Sequence, residues 1–130
     1  MSVSILEMKV IVTGSKGMLA HDIISATTAA GWDVVGFSSS ELDICDAAAV
    51  ESVLSEHGDA HTLINCAAYT KVDDCETNIS LATAINGDGP GIVAEWCHRN
   101  GVVMVHFSTD YVFDGTKDGP YLRNRYPPPC

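Results

Sequence analysis

Short apolar runs alternate along this chain with longer segments in which apolar residues recur every three or four positions. Four runs have the length and flanks of buried strands: 8–13, 33–37, 62–66 and 102–108. Helical spacing of apolar residues follows the first three, starting near Met18, after Asp46 and after Asn78. This alternation predicts the α/β class, a Rossmann-like parallel sheet with helices on both faces.

Punctuating residues set the expected boundaries. Asp46 is a good N-cap, and Gly31, Gly58 and Gly101 are placed to end the three helices. Between the second strand and the second helix, "ELDICD" is expected to contain a short extended piece. The glycines and proline of "GDGPG" predict a kink in the third helix, or two helical pieces.

Composition narrows the class of protein. The chain has 130 residues, 46% of them hydrophobic, and a formal charge of −10, which argues against nucleic-acid and anionic-membrane partners. The five cysteines include no CxxC pair, and no signal peptide, membrane-length stretch or metal-ligand spacing is seen, so we expect reduced thiols, no metal and a cytoplasmic location. The expected division is an extension at 1–7, a partial dinucleotide-binding domain at 8–121 and a proline-rich tail at 122–130.

The turn "VTGSKGMLA" after the first strand contains the residue types that a dinucleotide phosphate needs. Gly14 lets the chain turn sharply, Gly17 leaves room for a pyrophosphate, and the small Ala20 lets helix pack closely on strand. The N–H groups and the positive dipole end of the following helix would hold the phosphates. An ordinary strand–helix connection is the alternative, but the position at the start of an α/β pattern favours a dinucleotide site.

The end of the second strand bears on the choice of coenzyme. A carboxylate there would hold a ribose 2′-hydroxyl and favour NAD, but Phe37 is followed by three serines. Serines tolerate a 2′-phosphate, and Lys16 could neutralise one. The sequence therefore favours NADP(H), with NAD(H) as the alternative, and places Ser38 at the coenzyme site.

Five motifs in order carry a resemblance to a known family: "VTGSKGMLA", "ELDICD", "LINCAAYTKVDDCE", "AINGDGPG" and "HFSTDYVFDG…GPY". The chain resembles the extended short-chain dehydrogenase/reductases, and within them it is most similar to the dTDP-4-dehydrorhamnose reductases. The combination of "NCAAYTKVD" with "STDYVFDG" is the most specific part of the match. The resemblance implies NADP(H)-dependent reduction of a sugar-nucleotide ketone, dTDP-4-dehydro-6-deoxy-L-mannose, to dTDP-L-rhamnose.

The resemblance also implies roles for the residues that match. Coenzyme-binding residues are expected to be Gly14, Ser15, Lys16, Gly17, Met18, Leu19, Asp43, Ile44, Cys66, Ala67, Ala68 and Tyr69. Thr109 is the catalytic residue that is expected to hydrogen-bond the reacting carbonyl. Substrate-binding residues are expected to be Asp110, Tyr111, Val112 and Phe113.

The proton donor of the family is absent from this sequence. In the family a Tyr-x-x-x-Lys pair on the following helix supplies the proton. Here the residues four positions after Tyr69, Tyr111, Tyr121 and Tyr126 are Asp73, Gly115, Arg125 and Cys130. The later strands and the substrate domain are missing too. We therefore expect this chain to be the amino-terminal part of a reductase, with an incomplete sheet. By itself the chain is expected to lack catalytic competence.

Two other functional interpretations remain open at this stage. The first is a non-catalytic NADP-binding regulatory subunit, which resembles that of methionine adenosyltransferase. The second is a product without an independent role that folds poorly, because a partial sheet leaves an exposed edge. The expected partners are a sugar-nucleotide substrate and a second copy of the chain or a partner enzyme.

Overall fold

A computed structural model describes residues 7–123, which form four strands and five α-helices. In chain order these are β1 (Lys9–Thr13), α1 (Met18–Ala29), β2 (Asp33–Phe37), α2 (Ala47–Leu54), β3 (Thr62–Asn65), α3 (Val72–Thr77), α4 (Ile79–Thr83), α5 (Gly89–Asn100) and β4 (Val103–His106). Short 3₁₀ turns follow α2 at Ser55–His57 and β4 at Asp110–Val112. Most of the predicted extension and tail, residues 1–6 and 124–130, lies outside the described residues.

The four strands form one parallel sheet in the order β2-β1-β3-β4. Because all strands point the same way, their carboxyl ends meet at one edge. The last row at that edge pairs Thr13 of β1 with Asn65 of β3, and Asn65 with His106 of β4. The predicted parallel, Rossmann-like sheet is confirmed, and this edge is where its loops assemble a site.

Alternating side chains of β1 build a core on each side of the sheet. Val10 and Val12 are fully buried against Ala20 of α1 on one face. Ile11 points to the other face and joins the larger core, in which Trp96 of α5 and Leu54 of α2 are also fully buried. Helices therefore cover both faces of β1, as the near-continuous apolar strands predict.

Strand β4 departs from that expectation. It is shorter than the predicted 102–108, and Val103 and Val105 are 63% and 39% exposed. Their register partners in β3 and β1 face the core on the α1 side, so both valines lie on that face. Helix α1 packs mainly on β1 and β2, and it leaves both valines of β4 exposed. Helices cover both faces of the sheet at β1, whereas β4 is open to solvent on its α1 side.

The segment predicted to contain a short extended piece, residues 41–46, forms turns instead. The N–H groups of Glu41 and Leu42 both donate to the Ser38 carbonyl, and the Asp43 side chain accepts from the Cys45 N–H. An aspartate that bonds the backbone two residues on stabilises a turn over a strand. Asp46 then caps α2 by accepting from the N–H groups of Ala48 and Ala49, as predicted.

The predicted interruption of the third helical segment is present. Helix α4 runs into a π-helical turn at Ala84–Asp88, and α5 follows directly. Gly89 is buried where the turn ends, and a Cβ there would lie 2.8 Å from Ile44 Cδ1. The helix therefore carries glycine where it passes closest to the 41–46 turns.

Candidate functional site

The elbow between β1 and α1 requires glycine at its first position. Gly14 has φ +66°, a left-handed conformation that side chains disfavour. A Cβ at Gly14 would also lie 2.6 Å from the Ala67 nitrogen, inside the backbone that follows β3. The predicted sharp turn is therefore present, and it brings the glycine turn into contact with the end of β3.

Gly17 leaves the start of α1 without a capping side chain. It occupies the N-cap position of α1, and its own N–H donates to the Gly14 carbonyl at 3.0 Å. A methyl group at Gly17 would lie over that carbonyl at 3.3 Å. Backbone N–H groups and the positive end of the helix dipole consequently face the loop edge with no side chain above them. Such an arrangement can hold an anion such as a pyrophosphate.

A cleft of about 340 Å³ opens beside this elbow. Among the residues expected to bind coenzyme, those that line it are Gly14, Lys16, Gly17, Asp43, Ile44, Cys66, Ala67, Ala68 and Tyr69. Ser39, Leu42 and Ile85 complete the lining and were not foreseen. Residues from three loops and the π-helical turn thus converge at the carboxyl edge of the sheet, where ligands bind in open α/β folds.

Four expected coenzyme residues lie beside the cleft lining. Ser15 faces a groove along α1, and its N–H donates to the Phe37 carbonyl. Met18 and Leu19 are exposed at the first turn of α1. Ser38 is 2% exposed, and its hydroxyl lies 3.0 Å from that of Ser40, whereas Ser39 reaches the cleft. The role of each in binding stays a prediction.

Asn86 in the π-helical turn holds the cleft wall and was not among the expected site residues. Its amide oxygen accepts from the Tyr69 N–H at 2.8 Å, and its amide nitrogen donates to the Tyr69 carbonyl at 3.0 Å. The side chain therefore replaces a strand partner for the backbone at Tyr69. The only sequence signal is an asparagine beside helix-breaking glycines, where a π-helical turn can redirect a side chain.

A second polar connection crosses the sheet under the loops. The Thr13 hydroxyl donates to Asn65 Oδ1 at 2.5 Å, and Asn65 Nδ2 lies 3.1 Å from His106 Nδ1. Because Oδ1 is occupied by Thr13, the amide nitrogen of Asn65 donates to the imidazole. Thr13 and Asn65 are buried, so these bonds satisfy groups that water cannot reach. Asn65 thus joins three strands through side-chain hydrogen bonds.

Thr109 follows β4 at the same edge of the sheet and is exposed. Its side chain accepts from the Tyr111 N–H and donates to Asp110 Oδ1, each at 3.2 Å. It caps the 3₁₀ turn at Asp110–Val112. The hydroxyl is exposed and can turn toward a ligand by giving up its bond to Asp110. Its catalytic role stays a prediction.

The expected substrate-binding residues, 110–113, lie at the start of a loop whose aromatic side chains pack on each other. Tyr111 is 72% exposed, and the Phe113 ring stacks on that of Tyr121 with centroids 4.1 Å apart. Lys117 lies over the outer side of Tyr121, 5.5 Å from its ring centre. The aromatic stack holds the ends of the 113–121 loop together. Asp110 and Val112 belong to the 3₁₀ turn that precedes this loop. Their contact with substrate stays a prediction.

The cleft cysteine is held in its neutral form. Burial raises the pKa of the Cys66 thiol. A neutral thiol beside Ala67 and Ala68 gives this wall of the cleft a small, weakly polar surface. Cys66 therefore suits contact with a flat ring better than nucleophilic chemistry.

The RmlD substrate binding domain family matches residues 8–130. The chain belongs to that family. A dTDP-4-dehydrorhamnose reductase of Streptomyces griseus is 42% identical over 111 residues, which are 85% of this chain and 36% of the relative. A probable low-salt glycan biosynthesis reductase of Haloferax volcanii is 41% identical over 132 residues, 94% of this chain and 44% of the relative.

Two solved structures of dTDP-4-dehydrorhamnose reductases show the same fold. The dTDP-4-dehydrorhamnose reductase of Bacillus anthracis, in complex with NADP, matches with a TM-score of 0.87 and 36% identity. That of Clostridium acetobutylicum matches with a TM-score of 0.87 and 35% identity. Each match covers 94% of this chain and 44% or 43% of the solved one. The chain spans less than half the length of the relatives that it matches.

Two kinds of feature are absent from residues 7–123. No helix in that range is long and apolar enough to cross a membrane. No group of three or more His, Cys, Asp or Glu side chains is placed there to hold a metal ion.

Proposed function

We propose that this chain forms the coenzyme-binding part of an NADP(H)-dependent sugar-nucleotide ketone reductase, with dTDP-4-dehydro-6-deoxy-L-mannose as substrate and dTDP-L-rhamnose as product. The observation that carries the proposal is the Gly14–Gly17 elbow, whose bare backbone faces a cleft at the sheet's carboxyl edge. The reductase names of its RmlD-family relatives, and the NADP in the Bacillus anthracis structure, support the substrate class and the coenzyme.

The cleft residues fit a dinucleotide by their chemistry. Gly17 and the N–H groups at the start of α1 would receive the pyrophosphate, with the Lys16 ammonium beside it. Asp43 and Ile44 would flank the adenine, and the small side chains of Ala67 and Ala68 would leave room for the nicotinamide end. When bound, the coenzyme supplies a hydride.

Thr109 would act on the carbonyl oxygen of the substrate. Negative charge develops on that oxygen during reduction, and a hydroxyl donor stabilises it. To donate, the Thr109 hydroxyl must release Asp110, while its bond from the Tyr111 N–H can persist and orient it. The donor of the proton that completes the alcohol is not assigned to a residue of this chain, because the sequence contains no Tyr-x-x-x-Lys pair.

Coenzyme binding is the direct test of this proposal. The full chain is titrated with NADPH, and binding is followed by calorimetry and by hydrogen exchange of the glycine turn. Gly17→Ala keeps an allowed φ of −75° but adds a methyl group at the elbow, so affinity should fall. Gly91→Ala is the matched control, because a Cβ there meets nothing within 4 Å. Absence of NADPH binding by the unaltered chain would refute the proposal.

A regulatory role, as a non-catalytic NADP-binding subunit, is the second candidate. In that case the chain binds NADP(H) without turnover and modifies a partner enzyme, or pairs with a second copy of itself. Reduction of the keto-sugar nucleotide by NADPH, measured with the chain alone and with the carboxyl-terminal half of a relative, separates the two roles. Turnover in either mixture supports the reductase.

A further inference from the structure

The end of β2 carries a carboxylate that the order of residues does not reveal. Three serines follow Phe37, but Glu41 folds back so that its Oε2 accepts from the Ser38 N–H at 2.7 Å. The turn is closed in the other direction by the Glu41 N–H, which donates to the Ser38 carbonyl at 3.0 Å. This reciprocal pair fixes the Glu41 carboxylate at the end of the strand.

The groups around Glu41 are of the kind that bind an anion, and the Glu41 carboxylate is the anion that they contact. The backbone hydrogen bond from Ser38, a side-chain hydrogen bond from Ser38 and the positive charge of Lys16 together lower the pKa of Glu41. The same groups, one N–H, a hydroxyl and an ammonium, are what a phosphate would use. In this chain the Glu41 carboxylate already accepts from the Ser38 N–H.

The position matters because it adjoins the cleft. Lys16 and Ser39 line the cleft, and Ser39 lies within the turn that Glu41 closes. In a dinucleotide-binding α/β fold the end of the second strand meets the adenosine ribose, and a carboxylate there accepts from its 2′-hydroxyl. A 2′-phosphate at the same place would meet a like charge and would have to compete for Ser38 and Lys16.

We infer that Glu41 is a specificity-determining residue that lowers the preference of this site for a coenzyme with a 2′-phosphate. The inference rests on the proposed coenzyme site and deepens it: Lys16 and the serines accept a 2′-phosphate, and Glu41 opposes it. Both NADPH and NADH are therefore expected to bind, and the balance between them is set by this one side chain.

The test compares the two coenzymes on one variant. Dissociation constants for NADPH and NADH are measured by calorimetry for the full chain, for Glu41→Gln and for Glu56→Gln. Glutamine keeps the oxygen that accepts from Ser38 but loses the charge. Glu56, in the exposed 3₁₀ turn after α2, controls for the change in net charge. Glu41→Gln should raise the affinity for NADPH relative to NADH by roughly fivefold, the effect of removing one nearby surface charge, and Glu56→Gln should not.

The possible outcomes separate a failure of this inference from a failure of the proposed function. An unchanged or lowered NADPH-to-NADH ratio in Glu41→Gln, with both coenzymes still bound, overturns the inference and leaves the proposed function standing. Failure of the unaltered chain to bind either coenzyme overturns both.

A measurement on the unaltered chain covers the case in which Glu41→Gln does not fold. The amide resonance of Ser38 is followed during titration with 2′,5′-ADP and with 5′-ADP. Displacement of Glu41 by the 2′-phosphate should move the Ser38 signal much further with 2′,5′-ADP. Equal movement with the two ligands overturns the inference.

Discussion

The side chain of Asn86 forms two hydrogen bonds with the backbone of Tyr69, one to its N–H at 2.8 Å and one from its amide to the carbonyl at 3.0 Å. A residue of the π-helical turn is thereby fixed to the segment that leaves β3 and lines the cleft. π-Helical turns often occur where they place a functional group. Here the turn places the Asn86 side chain against the backbone of Tyr69.

Replacing Asn86 by alanine should loosen this wall of the cleft. Two hydrogen bonds are lost at an exposed position, so the free energy of unfolding should fall by about 1–2 kcal/mol. NADPH affinity should fall with it, as measured by urea unfolding and calorimetry. Asn78→Ala is the control, since that side chain makes one long bond, to Thr77 at 3.5 Å. Equal effects of the two substitutions would contradict a special role for Asn86.

The two left-handed glycines Gly14 and Gly31 differ in their surroundings, which allows conformation and close approach to be separated. Gly31→Ala meets nothing within 4 Å and should cost about 1–2 kcal/mol through its φ of +82° alone. Gly14→Ala also forces a Cβ into the Ala67 backbone and should cost roughly 1–3 kcal/mol more. Thermal unfolding of the two variants measures the difference. Similar losses would show that the elbow does not need this contact.

Local patterns were enough to predict the order of the four strands and of the longer helices, because the apolar spacing of β1, α1 and β2 reflects burial directly, but they did not predict α3. The Gly14–Gly17 elbow was also predictable, since few residue types satisfy its geometry. The return of Glu41 to the end of β2 was not, because a side chain that folds back across a turn leaves no periodic signal. The exposure of β4 depends on what covers a sheet face, which no single strand encodes.

The polar side chains of Thr13, Asn65 and His106 form a row across the sheet. The sequence did not predict this row either, because it forms only when β1, β3 and β4 are neighbours. Asn65→Ala should leave the buried Thr13 hydroxyl unpaired and cost about 2–3 kcal/mol of stability. His106→Ala removes an exposed partner and should cost about 1 kcal/mol or less. Chemical denaturation of both variants tests the order, and a larger loss for His106→Ala would contradict it. Asn100→Ala, which loses one bond to the Trp96 carbonyl, is the control.

Cys97 should make stability fall in alkaline solution. Burial raises the pKa of its thiol from 9.0 to about 11 in the folded chain. Between those values the unfolded chain has released a proton that the folded chain keeps, so the free energy of unfolding decreases as pH rises. Cys97→Ala should flatten this dependence between pH 9 and 11, measured by urea unfolding at each pH. Cys75→Ala is the control, and an unchanged slope in Cys97→Ala would contradict the assignment.

The exposed valines of β4 should make the chain associate with itself. Val103 and Val105 are 63% and 39% exposed on the α1 side of the sheet, and β4 is also the last strand in the sheet order, with one side unpaired in residues 7–123. An apolar, unpaired edge strand is a template for pairing with another chain, and charged side chains prevent it. The double substitution Val103→Lys and Val105→Lys should therefore lower the sedimentation-average mass toward that of a monomer.

The matched control for β4 is the double substitution Ile79→Lys and Leu81→Lys, which places two lysines on α4 at side chains that are 67% and 48% exposed. A general effect of added lysines on this acidic chain would change self-association in the control as well. An effect confined to the β4 variant locates the contact at that strand. If both variants associate as the unaltered chain does, the exposed face of β4 is not the contact, and its valines are tolerated in water as isolated apolar residues are.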